Sequence, residues 1–240
     1  MNKIRRTLLF VGLTASLLAG CERPAAEPQY SSFELSIAGG DSKTHWDAAG
    51  FWWNDGDIVY INGTAHTLHA PDGGHSTWYT SGAAVAADGG LFYVAYPGEN
   101  GSFSDKYNEA DHTFGPVNTG GTQVPMAISG STNRLTMYPC VAVIHTKEST
   151  VKRKTTTAGS IVKAGASIDI VNRQLVGGGT TDYGTGALKS VSDGAGGYYI
   201  IVPVLGSSWT GTLTFGSGKK AEETNPITIE PGKIYTIRND

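Results

Sequence analysis

From Ser32 onward the apolar positions recur with a period of two, or gather in short continuous runs, and nowhere keep the spacing of a helix face. Phe33, Leu35 and Ile37 alternate with Glu34 and Ser36, which places the three apolar side chains on one face of a first strand. Asp57-Ile58-Val59-Tyr60-Ile61 runs into Asn62-Gly63, a dipeptide suited to the left-handed positions of a tight hairpin turn. Ser76 to Thr80 and Leu91 to Tyr96 read as further strands. A polar stretch from Pro97 to Gly121 then breaks the pattern, and a loop of that length usually carries function or mobility. The second half repeats the style over Arg134 to Thr146, Ser167 to Val171, Tyr198 to Leu205, Gly211 to Phe215, Ile227 to Ile229 and Lys233 to Ile237. Glycine clusters at Gly177-Gly178-Gly179 and Gly194 to Gly197 separate these runs, and Pro231-Gly232 makes the last turn. Such a series predicts an all-β chain built as two tandem β-sandwich-like domains. The polar run Ser129-Gly130-Ser131-Thr132-Asn133 sets the expected boundary, giving domains over residues 32–130 and 131–240. In the last strand, Ile234 and Thr236 face one way and Tyr235 and Ile237 the other.

The chain opens differently. Lys3, Arg5 and Arg6 precede an apolar run from Leu8 to Leu18, and Leu18-Ala19-Gly20-Cys21 follows. A basic start, a short apolar stretch and small residues before the cut describe a secretory leader too short to span a membrane as a mature helix. The cysteine directly after Ala-Gly makes it a lipoprotein leader. Residues 1–20 are expected to be removed between Gly20 and Cys21, and the Cys21 thiol to carry the lipid. One acyl chain anchors weakly, whereas two or three hold a protein on a membrane durably. Residues 21–31, with Pro24 and Pro28 and no apolar period, read as a tether reaching up to about 35 Å from the lipid.

Composition removes several functions. The net charge of -3 is spread without basic blocks, so no nucleic-acid partner is expected. Besides Cys21 the only cysteine is Cys140, which lies in the apolar run Cys140-Val141-Ala142-Val143-Ile144 and reads as a small buried hydrophobe. His66, His69 and His75 with Asp72 suggest a metal cluster at first sight, but an offset of three on a strand puts His66 and His69 on opposite faces. Gly216-Ser217-Gly218-Lys219-Lys220 is no phosphate loop, because Leu213 stands where the first glycine is required. No G-x-S-x-G nucleophile turn occurs. The sequons at Asn62 and Asn100 are better explained as turns. Trp46, Trp52, Trp53 and Trp78 cluster in the first half, where they either fill a core or, if exposed, stack sugar rings.

The order Trp53-Asn54-Asp55-Gly56-Asp57-Ile58-Val59, Phe92-Tyr93-Val94-Ala95-Tyr96-Pro97 and Gln123-Val124-Pro125-Met126 resembles the fimbrillin-like lipoproteins of Bacteroides and relatives. Leu135 through Ile144, Leu175-Val176-Gly177, Tyr198 through Pro203 and Ile229 through Tyr235 extend the likeness over most of the mature chain. The resemblance implies two tandem sandwich-like domains, no cofactor and no catalysis, and the histidine spacing leaves no metal site expected. It implies an outer-membrane, lipid-anchored protein at the cell surface that acts as a pilus subunit or a related adhesive lipoprotein. Its expected partners are the membrane through the N-terminal lipid, other pilus subunits by strand addition, and host or bacterial surface glycans or proteins. In polymerising type V pilins a protease cuts after an arginine near the first strand. Here the only basic residue between the tether and Trp52 is Lys43, and only three residues follow Ile237. That favours an anchor, tip or accessory subunit over a main stalk subunit. The alternative expectation is a surface lipoprotein that captures glycans through Trp46, Trp52, Trp53 and Trp78.

Overall fold

The computed structural model describes residues 26–38, 45–47, 50–70, 77–98, 106–117, 124–180, 188–218 and 226–237. Every regular element among them is a strand, as the alternating pattern predicts. In chain order these are β1 (Gln29–Tyr30), β2 (Glu34–Ile37), β3 (His45–Asp47), β4 (Gly50–Trp52), β5 (Ile58–Ile61), β6 (Thr64–His69), β7 (Trp78–Gly82), β8 (Val85–Ala86) and β9 (Phe92–Tyr96). Next come β10 (Tyr107–Asn108), β11 (Thr113–Phe114), β12 (Met126–Gly130), β13 (Arg134–Pro139), β14 (Ala142–Thr146), β15 (Val151–Ala164), β16 (Ser167–Asp169) and β17 (Gln174–Val176). The chain closes with β18 (Gly179–Thr180), β19 (Lys189–Ser192), β20 (Tyr198–Val202), β21 (Val204–Phe215), β22 (Ile227–Ile229) and β23 (Ile234–Thr236).

The first half closes into a barrel of seven strands in the order β12-β13-β2-β7-β6-β5-β9. Closure leaves no free edge in this sheet. The alternation of β2 works as expected: Leu35 and Ile37 are buried, and they sit opposite Leu135 and Met137 of β13, also buried. Asn62-Gly63 makes the β5–β6 hairpin, with both residues at positive φ (44° and 77°). Strand β9 is buried at all five positions because both its faces are covered. Phe92 packs inward on Phe33 and Tyr96 on Trp53, while Tyr93 on the other face stacks on His112.

The cover comes from the Pro97–Gly121 stretch. Its described part forms the hairpin β10–β11, whose second strand joins β16 with Thr113 opposite Asp169 and Phe114 opposite Ile168. Backbone hydrogen bonds from Val117 N to Ala166 O (2.7 Å) and from Ile170 N to His112 O (3.2 Å) extend the seam. A segment that reads as a loop is therefore an edge of the second half's larger sheet, ordered β10-β11-β16-β17-β21-β15-β18 with β22 added beside β21.

That sheet packs against the four-stranded sheet β19-β20-β14-β23 as a sandwich. Ala142, Ile144, Ile200 and Val202 from the smaller sheet meet Ile161, Trp209, Leu213 and Phe215 from the long β15–β21 ribbon. The ribbon's register shifts at Thr156/Ala158 and again at Ala158/Ser160. Gly159 lies between them at φ +71°, where a Cβ would sit 2.3 Å from Ser208 O. Only glycine permits this bulge, which lets the strand bend and retwist.

The expected boundary at Gly130 falls inside the barrel. Strands β12 and β13 pair across it, and Arg134–Pro139, assigned from the sequence to the second domain, lies parallel to β2. A short Gly/Ser/Asn run between two strands has the same composition whether it turns a hairpin or links two domains. The cores are divided elsewhere as well: Phe114, Cys140, Ile168, Leu175 and Ile201 join the barrel's cluster, and Ala142 with its neighbours forms a second one.

Candidate functional site

Gly20 and Cys21 lie outside the described residues. The tether is docked in its second part. Gln29 and Tyr30 pair with Ala86 and Val85, Ala87 N donates to Pro28 O at 2.9 Å, and Gly90 N donates to Glu27 Oε2 at 3.1 Å. Tyr30 is the reason: its ring packs on Phe33 and Phe92 at the edge of the barrel core, so this stretch gains apolar contact that its prolines do not advertise.

Of the four tryptophans proposed for sugar stacking, Trp53 and Trp78 are buried at 2% and 3% exposure. Their rings meet edge to face at 6.0 Å, with Tyr96 beside Trp53. A ring enclosed in this way has no face to offer a saccharide, and burial removes its large apolar area from water. Trp46 and Trp52 stand opposite Phe51 and His45 in the β3–β4 pair, and their side chains lie outside what is described.

The histidines separate as the strand period requires. His66 is 1% exposed, with Nδ1 3.2 Å from Thr80 Oγ1, and its ring meets Phe33 edge to face. Its pKa is held below the ordinary value of 6.5 by burial, which disfavours the cation. His69, on the opposite face, is exposed and bonds Ser81 Oγ at 2.8 Å. His75 and Asp72 lie outside the described residues, and no group of three metal-ligating side chains occurs among the described ones. Cys140 is fully buried and burial pushes its thiol pKa up, the condition of an inert core cysteine.

Three polar clusters did not stand out in the sequence. Asp57 is buried and its Oδ2 accepts hydrogen bonds from Asn54 N (2.9 Å) and Tyr96 OH (3.0 Å), which ties the Trp53–Asp57 turn to the barrel. His112 stacks on Tyr93 at 3.6 Å and lies 3.0 Å from Tyr107 OH, joining barrel to hairpin. On β14, His145 Nε2 donates to Asp193 Oδ2 at 2.7 Å, and Asp193 Oδ1 accepts from Ala195 N and Gly197 N. The His145 hydrogen bond is the main reason the Asp193 carboxyl sits below its usual range. This pair fastens the Asp193–Gly197 turn. Spacing offered a signal: an aspartate followed by a Gly-Ala-Gly-Gly run is a self-capping turn.

The open sheet edges are the remaining surface of interest. β23 is the last strand of its sheet, parallel to β14, with Val143 opposite Ile234. Tyr235 and Ile237 pack toward the second core, while Ile234 is 56% exposed, the facing expected from the sequence. Hydrogen bonds from Val143 N to Lys233 O and from Ile237 N to His145 O make it a structural strand of its own sheet. Its outer edge carries no strand among the described residues. Compared with known proteins, the chain matches no protein-family model, no curated protein and no solved structure.

Proposed function

We propose that this is a lipid-anchored, fimbrillin-like surface protein: a structural or adhesive accessory subunit, anchor or tip, of a pilus, with no catalytic activity. The observation that supports the reading is Leu18-Ala19-Gly20-Cys21 behind a basic and apolar leader, the pattern of a leader whose cysteine takes a lipid, ahead of the barrel strand Glu34–Ile37. The all-β architecture fits it. So do the outer edges of β23 and β18, which carry no further strand among the described residues, since an open edge offers backbone donors and acceptors that a partner's strand satisfies. Glycan capture through the four tryptophans is the weaker reading, because Trp53 and Trp78 are enclosed.

The test is made in the native organism. Wild-type chain should take up a fatty-acid label, fractionate with outer membranes and co-purify with sheared surface fibres. Cys21→Ser should lose the label and move to the soluble fraction. Label uptake by the serine variant, or wild-type chain in the soluble fraction, overturns the anchor. Membrane-bound chain that never accompanies fibres overturns the pilus role alone.

A further inference from the structure

We propose that a polar groove at the junction of barrel and sandwich binds the carboxylate of an acidic saccharide, with Arg173 as its anchor. The groove is open to solvent and measures about 330 Å³ where the end of β13, the β16–β17 turn and the Pro231–Gly232 turn meet. That is near the lower end of small-ligand sites, about 300–1,000 Å³. Tyr138 lines its wall, with Arg173, Gln174 and Ser207 around it and the Glu230–Lys233 ion pair at its rim.

The β16–β17 turn is built to present Arg173. Asp169 accepts from Asn172 N at 2.9 Å through Oδ1 and from Asn172 Nδ2 at 2.7 Å through Oδ2, which closes the turn. Arg173 follows at φ +55°, a left-handed position that strains a side-chain-bearing residue. Its guanidinium carbon then lies 4.4 Å from the centre of the Tyr138 ring. This cation–π contact restrains the guanidinium over the ring beside the groove. Among the described residues no carboxylate lies within ion-pair distance of it, and its N–H groups make no hydrogen bond. Lys233, by contrast, is engaged by Glu230 at 2.5 Å, so the uncompensated charge in the groove is that of Arg173.

A guanidinium restrained by the Tyr138 ring and without an ion-pair partner among the described residues suits a carboxylate, which it can hold bidentately. The rest of the lining selects the body of the ligand. The Gln174 amide and the Ser207 hydroxyl also make no hydrogen bond among the described residues, and they suit ring hydroxyls. A peptide strand is disfavoured, because β17 is already paired on both sides, with β16 and β21. The inference stands apart from the lipid anchor, since binding is measured on purified protein.

The experiment titrates the purified full chain with a glucuronate-containing disaccharide, using calorimetry. A neutral glucose disaccharide, sodium acetate, inorganic phosphate and a glutamate-rich peptide run in parallel. The acidic disaccharide should bind best, weaken with added salt, and lose about tenfold or more in affinity on Arg173→Asn. Asparagine adopts the left-handed backbone with less strain, so this variant should fold and melt no lower than wild type. Arg173→Lys keeps charge without the fork and should recover only part of the affinity. Equal binding of acidic and neutral disaccharides, no binding of either, or unchanged affinity in Arg173→Asn overturns the proposal. Acetate, phosphate or the peptide binding as tightly as the acidic disaccharide overturns the saccharide assignment.

Discussion

Replacing Phe114 by alanine should do more than weaken the protein; it should split its unfolding into two steps. Phe114 is 1% exposed and its ring lies 4.7 Å from that of Tyr60, on the outer face of barrel strand β5. Its backbone pairs with Ile168 in the second half's larger sheet. One side chain therefore fills the space between the barrel wall and a strand that belongs to the other sheet. Truncating a buried phenylalanine costs about 3–5 kcal/mol through lost transfer energy and the cavity left behind. Against a typical total of about 5–15 kcal/mol, that is a large share. For a chain of this length each kcal/mol moves the melting point by roughly 2–4 °C, so a fall of roughly 6–20 °C is expected.

The splitting follows from where the loss falls. The other ties across the seam are hydrogen bonds, the His112 stack and the apolar contacts of Ile168, Leu175 and Ile201 with the barrel's cluster, whereas Phe114 is the side chain that covers Tyr60. Scanning calorimetry of wild type should give one transition whose calorimetric and van't Hoff enthalpies agree. In Phe114→Ala the calorimetric enthalpy should exceed the van't Hoff value, as two transitions separate. Ile144→Ala is the control: it opens a cavity in the second core only and should lower stability without parting the halves. If Phe114→Ala costs less than about 1 kcal/mol, or if it melts as one unit with matching enthalpies, the hairpin is not what couples barrel and sandwich.

Two further outcomes are expected. His66 has a folded pKa below its ordinary 6.5, so between the two values the unfolded chain holds more protons; stability should fall as pH drops below about 6.5, and urea midpoints against pH should flatten there in His66→Leu. Thr156→Val should cost about 1–3 kcal/mol in urea unfolding, because Trp209 Nε1 donates to Thr156 Oγ1 at 2.8 Å and the fully buried indole would lose that acceptor.

What the sequence disclosed and what it withheld have different physical sources. The alternation of Phe33, Leu35 and Ile37, the Asn62-Gly63 turn and the facing of Tyr235 and Ile237 are encoded within a few residues, and each appears in the fold as read. The barrel's closure is not local. It depends on β13 lying parallel to β2, where Ser36 Oγ and Thr136 Oγ1 meet at 3.0 Å across 100 residues of chain. No window of sequence contains that pairing, so the polar run before Arg134 looked like a linker. The same reasoning applies to Tyr60, which alternates as though it faced solvent and is covered by the distant Phe114.

The Arg173 groove illustrates the remaining difficulty. Its local half was present in the Asp169-Ile170-Val171-Asn172-Arg173 stretch, where an aspartate three residues before an asparagine caps a turn and leaves the next side chain projecting. Its other half, the Tyr138 ring that holds the guanidinium, arrives from the end of a barrel strand. An exposed arginine on a turn is ordinary, and an exposed tyrosine on a strand is ordinary too. Stacked together over a polar groove, they cost the chain a left-handed arginine that glycine or asparagine would relieve. If the groove bound nothing, a glycine or asparagine at position 173 would be both more stable and equally functional. Measuring the melting point of Arg173→Asn beside its loss of saccharide affinity therefore asks whether this backbone strain is matched by a gain in binding.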